Sequence, residues 1–450
     1  MSMQDSSGSR QPPPGPPHTV VTGLQWGDEG KGKIVDWLTE SFDLVVRYNG
    51  GANAGHSVVI GPTRYALHLV PCGILRPGVL NLIANGVVVD PEQLLSEIEG
   101  LEAAGLPVDD RLKLSDRAHL VLPYHKRADG LLEAAVAVLA GEGSKVGTTG
   151  RGIGPCYADK ATRTTAIRVA DLYQPEELRL RLGHIAAVKN ATLGALAELA
   201  GDRFEPLDAD LLFAQLTAIG ERLRPYVVDT AMLIHQAMDE GRRVLFEGGN
   251  GSLLDVDHGS YPYVTSSHTT ALGIHAGAGV PAAKLGRVVG IVKAYTTRVG
   301  AGPCPTELEN AIGEHLRIKG REFGTTTGRP RRCGWLDLVA VDHSARLSGA
   351  TEVALMLMDV LAGLDELKIC TGYRLDGRLL EGFPASASDL ERVEPAYESL
   401  PGFSQEIDQA RAYADLPATA RAYVERVEEI LGVRISMVSV GPERSQTLLR

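Results

Sequence analysis

Short β-branched apolar runs alternate with longer amphipathic stretches along most of this chain. The runs at 20–22, 44–47, 82–84, 244–246, 288–292, 353–357 and 435–440 predict strands. Several are apolar on both faces, as buried strands of a mostly parallel sheet are. Helical periodicity follows many of them, at 34–40, 91–104, about 125–140, 175–199, 209–220 and 418–431. The repeated order of strand, glycine-rich loop and helix predicts an α/β fold, a large mostly parallel central sheet with flanking helices. Residues 175–240 read as almost wholly helical and predict an accessory lobe on that sheet. Residues 368–380, with Asp376-Gly377 at the turn, predict a small β-hairpin. Neither a repeat nor a linker interrupts the pattern after residue 18, so 19–450 reads as one large domain with insertions.

Residues 1–18 break the pattern: they are rich in Pro, Ser and Gly, lack an apolar run, and predict a disordered tail rather than a signal peptide or anchor. Elsewhere no apolar stretch reaches the length of a membrane span, and a cytoplasmic protein is expected. The net charge of -11 argues against nucleic acid as a general partner, since duplex binding needs an excess of Lys and Arg. It leaves room for a local basic pocket. The five cysteines are widely separated and show no CxxC spacing, which fits reduced thiols better than disulfides or a zinc site. The 51 glycines cluster in short segments, where bare backbone can approach a ligand.

The first such cluster follows the strand at 20–22. Gly27-Asp28-Glu29-Gly30-Lys31-Gly32-Lys33 satisfies the first part of the phosphate-loop pattern, a P-loop-NTPase-like feature, but Ile34 stands where a magnesium-binding hydroxyl is expected. Glycine-freed N–H groups, a helix N-terminus and two lysines still make an anion cradle. An acid inside a phosphate cradle is repulsive unless a cation intervenes or the acid does chemistry. Asp28 is therefore a candidate magnesium ligand, general base, or both, whereas Glu29 is expected to face solvent or cap the helix. The second cluster, Tyr48 to Ser57, ends its polar glycine loop on His56, a candidate proton donor or phosphate ligand.

QWGDEGKGK at 25–33, GGANAGH ending at His56, GTTGRGIGP at 147–155 and FEGGNGSLLDVDHGSYPYVTSS at 246–267 resemble the adenylosuccinate synthetase family. So do TTGRPRRCGW at 326–335 and GPER at 441–444, all in the family's order. The resemblance implies GTP-dependent ligation of IMP and L-aspartate to adenylosuccinate, with GDP and phosphate released through a 6-phosphoryl-IMP intermediate, in the AMP branch of purine biosynthesis. It implies a catalytic set of Asp28, which removes the N1 proton of IMP, His56, which donates a proton and stabilises the transferring phosphoryl, and Lys31. One magnesium ion per subunit would sit on Asp28 and the Gly55 carbonyl. GTP would be held by Gly27, Asp28, Glu29, Gly30, Lys31, Gly32 and Lys33, by Gly55, His56 and Ser57, and by Arg331, Leu357, Met358, Asp359, Ser439, Val440 and Gly441. IMP would meet Asn53, Ala54, Thr149, Asn250, Thr265 and Arg329, and Arg163 of a neighbouring subunit, which implies a homodimer. Aspartate would be captured by Thr325, Thr326, Thr327, Gly328, Arg329, Pro330 and Arg331, whose guanidinium forks suit carboxylates.

Three positions depart from the family's strings. Asn250 replaces a Gln, His268 an Asn, and Leu357 the lysine that would lie over the guanine base. Asp359, the carboxylate that would read guanine N1–H and N2–H₂ and reject adenine, is present. The nearest rival is a phage-type relative that aminates a guanine nucleotide, often with ATP, but there the residue matching Asp28 is typically replaced. A non-catalytic nucleotide-binding protein would not need Asp28, His56, Lys31 and the 329–332 arginines together. A GTPase switch would need a hydroxyl at Ile34.

Overall fold

The computed structural model describes residues 18–61, 63–141, 145–323 and 330–450. The expected tail lies outside these residues up to position 17. His18 instead opens the first strand, because the ladder to Val244 extends beyond the apolar run.

Ten strands form the main sheet among the described residues. Their spatial order is Thr447–Leu449, Ile435–Ser439, Glu352–Met356, Arg287–Lys293, His18–Gly23, Val244–Gly251, Leu44–Arg47, Leu80–Ile83, Leu112–Ser115 and Val227–Val228. Every pairing is parallel except that of Thr447–Leu449, which turns back on Ile435–Ser439. The central strands are buried throughout, so their β-branched runs face packed layers on both sides. One layer contains Ile34, Val35 and Leu38 from the helix Lys31–Thr39; on other strand faces pack Ile234, Ala237 and Met238 of Thr230–Asp239.

Residues 175–240 are less uniform than their periodicity implied. The helices Pro175–Ala200 and Ala209–Leu223 pack on each other, and the first also packs on Pro123–Ala140. Val227–Val228 then joins the sheet edge, and Thr230–Asp239 covers the sheet itself. The helical period could not separate these two fates, because both helices bury one apolar stripe.

The expected hairpin is present: Leu364–Leu375 turns through Asp376 (φ 50) and Gly377 (φ 77) into Arg378–Leu379. It belongs to a second sheet in which the long strand pairs mainly with Glu394–Phe403, a partner too distant in sequence to be read from a turn signal.

The phosphate-loop strand and its neighbour Val244–Gly251 approach so closely that Gly251 has no room for a side chain. A Cβ there would lie 2.2 Å from the Gln25 carbonyl oxygen and 2.4 Å from the Gly27 nitrogen. Gly251→Ala is therefore expected to displace the phosphate loop and destabilise the fold by about 1–3 kcal/mol. Chemical denaturation together with a nucleotide-binding titration checks both effects, and an unchanged midpoint with unchanged binding would refute the constraint.

Candidate active site

The loops that carry the predicted residues leave the sheet at the C-terminal ends of parallel strands. His18–Gly23 feeds the phosphate loop, Leu44–Arg47 the loop to His56, Val244–Gly251 the 250s, Glu352–Met356 the turn at Leu357, and Ile435–Ser439 the turn at Gly441. Ligands of open α/β sheets bind at this edge.

In the phosphate loop Gly27 (φ 91), Asp28 (φ 59) and Gly30 (φ 88) all take positive φ, which curls the chain into a tight cradle before the helix Lys31–Thr39. Glu29 neither faces solvent nor caps the helix. It is fully buried, accepts from the Gly27 N–H at 2.9 Å and the Gln25 N–H at 3.2 Å, and receives Lys31 Nζ at 2.6 Å. Burial opposes its charge, but Lys31 and the backbone N–H groups of Glu29 and Gly27 hold its carboxyl below the ordinary value. Glu29 thus folds the loop from inside, which a sequence pattern cannot distinguish from a solvent-facing acid. Asp28 points elsewhere: its side chain is 36% exposed and its Oδ2 lies 2.9 Å from Arg331 Nε.

The second expected lysine of the cradle is engaged elsewhere. Lys33 Nζ donates to Ser439 Oγ at 2.8 Å, to the Gly441 carbonyl at 2.7 Å and to the Gln446 carbonyl at 3.1 Å. Its three protons are used, so Lys33 ties the helix to the C-terminal turn instead of lining the cradle. Burial pushes it down to about 7, against the pull of Asp359 and Glu443.

His56 is buried, with Nδ1 2.5 Å from Glu247 Oε1 and Nε2 without a partner among the described residues. Glu247 also accepts the Cys72 N–H at 2.8 Å and lies in register with Arg47 on the adjacent strand. Burial lowers His56 from its ordinary value and opposes charge on Glu247, yet His56 and Arg47 hold that carboxyl below its ordinary value. The imidazole is therefore oriented through Nδ1, with Nε2 left for a ligand, the arrangement of a held general acid–base. A Cβ on Gly32 would come within 3.1 Å of His56 Cβ and of the Ser57 carbonyl, so the phosphate loop rests directly on the His56 loop.

At the far end, Leu357 leaves its strand in a left-handed conformation (φ 57) rather than extending it as predicted. Its Cδ1 would stand 3.8 Å from a Cβ on Gly30, beside the phosphate loop. Met358 is fully buried in the core, so it offers a nucleotide base no surface, contrary to expectation, because the turn at Leu357 directs it inward. Asp359 Oδ1 is buried without a partner, and burial raises its pKa above the ordinary value.

Other predicted residues sit as follows. Asn53 Nδ2 donates to Thr265 Oγ1 at 3.3 Å, bringing two predicted contacts together, and buried Asn250 presents an unpartnered Oδ1 close to Gly50. Ser57 Oγ accepts from Arg64 at 3.0 Å, and Ala54 is buried beside exposed Gly55. Thr149 and Arg163 are exposed, the latter ending the helix Ile153–Thr162. His268 Nδ1 lies 3.3 Å from Asp257 at the surface. Thr325, Thr326, Thr327, Gly328 and Arg329 lie outside the described residues, while Pro330 is exposed at their edge. All five cysteines are free and buried. Sequence reasoning missed Arg47, Glu247 and Glu322. Arg47 and Glu247 are charges ending apolar strand runs, a signal that was present, whereas Glu322 announces nothing.

A family model described as adenylosuccinate synthetase matches residues 20–448. The adenylosuccinate synthetase of Nitratidesulfovibrio vulgaris (strain DP4) is 51% identical over 434 residues, covering 96% of this chain and all of its own length. That of Caldanaerobacter subterraneus subsp. tengcongensis is 50% identical over 433 residues, covering 96% and 98%. Among solved structures, the fully ligated adenylosuccinate synthetase of Plasmodium falciparum superposes with a TM-score of 0.88 at 38% identity, covering 96% of this chain and 99% of that one. A cyanophage S-2L succinoaminodeoxyadenylate synthetase shares the fold at a TM-score of 0.58 and 20% identity, over 96% and 95%.

Replacing Glu247 by Gln removes the anion that orients His56 while keeping its shape. Turnover is expected to fall by about 10²-fold or more, the range in which acid–base groups and their orienting partners act. Steady-state kinetics alongside a thermal melt will separate lost chemistry from lost folding, and activity within a factor of about two of the parent would remove His56 from an acid–base role.

Proposed function

The chain belongs to the adenylosuccinate synthetase family, and we propose that the residues gathered at the sheet's C-terminal edge perform its reaction. That reaction is the GTP-dependent ligation of IMP and L-aspartate to adenylosuccinate, in the AMP branch of purine biosynthesis. The purine O6 is a poor leaving group. Converting it to a phosphate ester lets the aspartate amine displace it from C6.

The observation that carries the assignment is Asp28: a partly exposed carboxylate on a strained backbone in the phosphate cradle, ion-paired to Arg331, in a loop that rests on His56. There it takes the N1 proton of IMP, so that O6 becomes the nucleophile toward the γ-phosphoryl of GTP. His56 presents Nε2 to the phosphoryl oxygens. Their negative charge favours the imidazolium, which Glu247 neutralises from behind. Lys31, locked to Glu29, stands at the base of the cradle, where its ammonium would be a donor to phosphoryl oxygens.

The donors that would hold magnesium are the Asp28 carboxylate and the Gly55 carbonyl. Both are hard oxygens on loops in mutual contact, and substrate oxygens would fill the remaining positions. The ion would neutralise charge on the phosphoryl groups during transfer. Asp359, buried with an unpartnered oxygen, suits the N1–H and N2–H₂ edge of guanine, and Leu357 supplies apolar contact where the family has lysine. Asn53, Thr265 and Asn250 would meet IMP, Ser439 and Gly441 the nucleotide base, and the 325–331 segment the carboxylates of aspartate. Exposed Arg163 would reach the IMP of a second subunit in a homodimer. No helix among the described residues is long and apolar enough to cross a membrane, which is compatible with the cytoplasmic setting we propose.

Asp28→Asn should abolish turnover while leaving nucleotide binding largely intact. Following the product's ultraviolet shift and GDP release tests this, and a rate above about a tenth of the parent's contradicts a base worth 10²–10⁴-fold. Arg163→Leu should raise the KM for IMP, and mixing it with Asp28→Asn protein should restore part of the activity through hybrid dimers. Absence of rescue, with hybrid formation verified by tagged subunits, would count against a shared site.

A further inference from the structure

We propose that Glu322 is a positioning residue for phosphoryl transfer, setting through Arg331 where the Asp28 carboxylate stands. The proposal rests on the reading of Asp28 given above.

Glu322 is almost completely buried, yet three side-chain donors converge on it. Lys293 Nζ donates to its Oε1 at 2.7 Å, the Tyr295 hydroxyl donates to the same oxygen, and Arg331 Nη1 donates to Oε2 at 2.7 Å. The opposite side of the Arg331 guanidinium lies against Asp28, Nε to Oδ2 at 2.9 Å. One planar group therefore stands between two carboxylates, hydrogen-bonded to Glu322 and ion-paired to Asp28, and Glu322 is the buried one, held by three donors. The main chain supports this pairing: the Arg331 N–H donates to the Glu322 carbonyl at 2.9 Å, and Phe323 bridges Pro330.

The segment that anchors Glu322 also anchors the phosphate loop. The Lys293 N–H donates to Gln25 Oε1 at 2.8 Å, and Gln25 Nε2 donates to the Tyr295 carbonyl at 3.0 Å. Residues 293–295 thus hold the start of the loop through Gln25 and its acid through Glu322 and Arg331. A carboxylate retained only to neutralise Lys293 would need no second cation. This one completes an alternating series of charges, Lys293, Glu322, Arg331 and Asp28, running from the buried sheet edge to the partly exposed base.

The test uses the full-length enzyme with IMP, aspartate, GTP and magnesium. Glu322→Gln is expected to lower kcat by about 10²-fold, the cost of misplacing a reacting group by about an ångström. The KM for IMP should stay within about threefold, since ground-state binding is untouched. In a double-mutant cycle with Arg331→Lys the losses should overlap, because Glu322 acts through that guanidinium. Losses that multiply, or an unchanged kcat in Glu322→Gln, overturn the proposal. If Glu322→Gln does not fold, Tyr295→Phe removes a single donor to Glu322 and should lower kcat several-fold, again overlapping with Arg331→Lys; multiplicative losses there overturn it equally. Asp28→Asn separates the two levels. An active Asp28→Asn enzyme removes the premise, whereas an inactive one with multiplying Glu322 and Arg331 losses refutes only the role of Glu322.

Discussion

A carboxylate with no exposure to solvent, Glu247, stands at the centre of this sheet, in register with Val21 on one side and Arg47 on the other. Burying a charge there is unfavourable by several kcal/mol unless it is paired and hydrogen-bonded. The pairing comes from His56 and the Cys72 N–H, supplied by the loop beyond the adjacent strand and a later turn, and the nearby charge of Arg47 on that strand adds to it. The chain can satisfy Glu247 only by bringing the His56 loop back over the strand ends. That return also seats the phosphate loop, because Gly32 packs on His56 and Ser57.

The same solution recurs along the edge. Glu29 is neutralised by Lys31 inside the phosphate loop, Glu322 by Lys293 and Arg331 at the base of the arginine segment, and Asp36 by Arg444 from the C-terminal turn. Each pair joins segments distant in sequence or lies within the phosphate loop itself. Such pairs add little net stability compared with apolar packing, but breaking one leaves a buried charge unmatched, so they specify one arrangement. Preorganisation of this kind keeps donors and acceptors placed before charge develops on a phosphoryl group.

Much of the architecture was legible because its signals are local. Doubly buried strands appear as uninterrupted β-branched runs, and helices as a 3.6-residue stripe, so the α/β class and most strands in the main sheet were open to sequence reading. The loops that gather at the sheet's C-terminal edge were legible too, since glycine-rich strings mark where bare backbone can approach a ligand. The functions of Lys33 and Met358 were not. A lysine in a glycine loop carries the same letter whether it faces a phosphate or three carbonyl and hydroxyl oxygens, and Met358 turns inward only because Leu357 adopts a left-handed backbone.

What the linear order of residues determined by itself was the set of elements, the sheet's parallel character and the family's chemistry, because periodicity, turn propensity and close backbone approach are properties of short segments. Which charges meet was decided only by tertiary structure. Even Glu29 and Lys31, two positions apart, pair only because the loop buries both, while His56 with Glu247 spans 191 positions and Lys33 with Ser439 spans 406. Pairing across such distances follows from the order in which strands are laid side by side, and electrostatic partners are chosen by proximity in space, which no window along the chain contains.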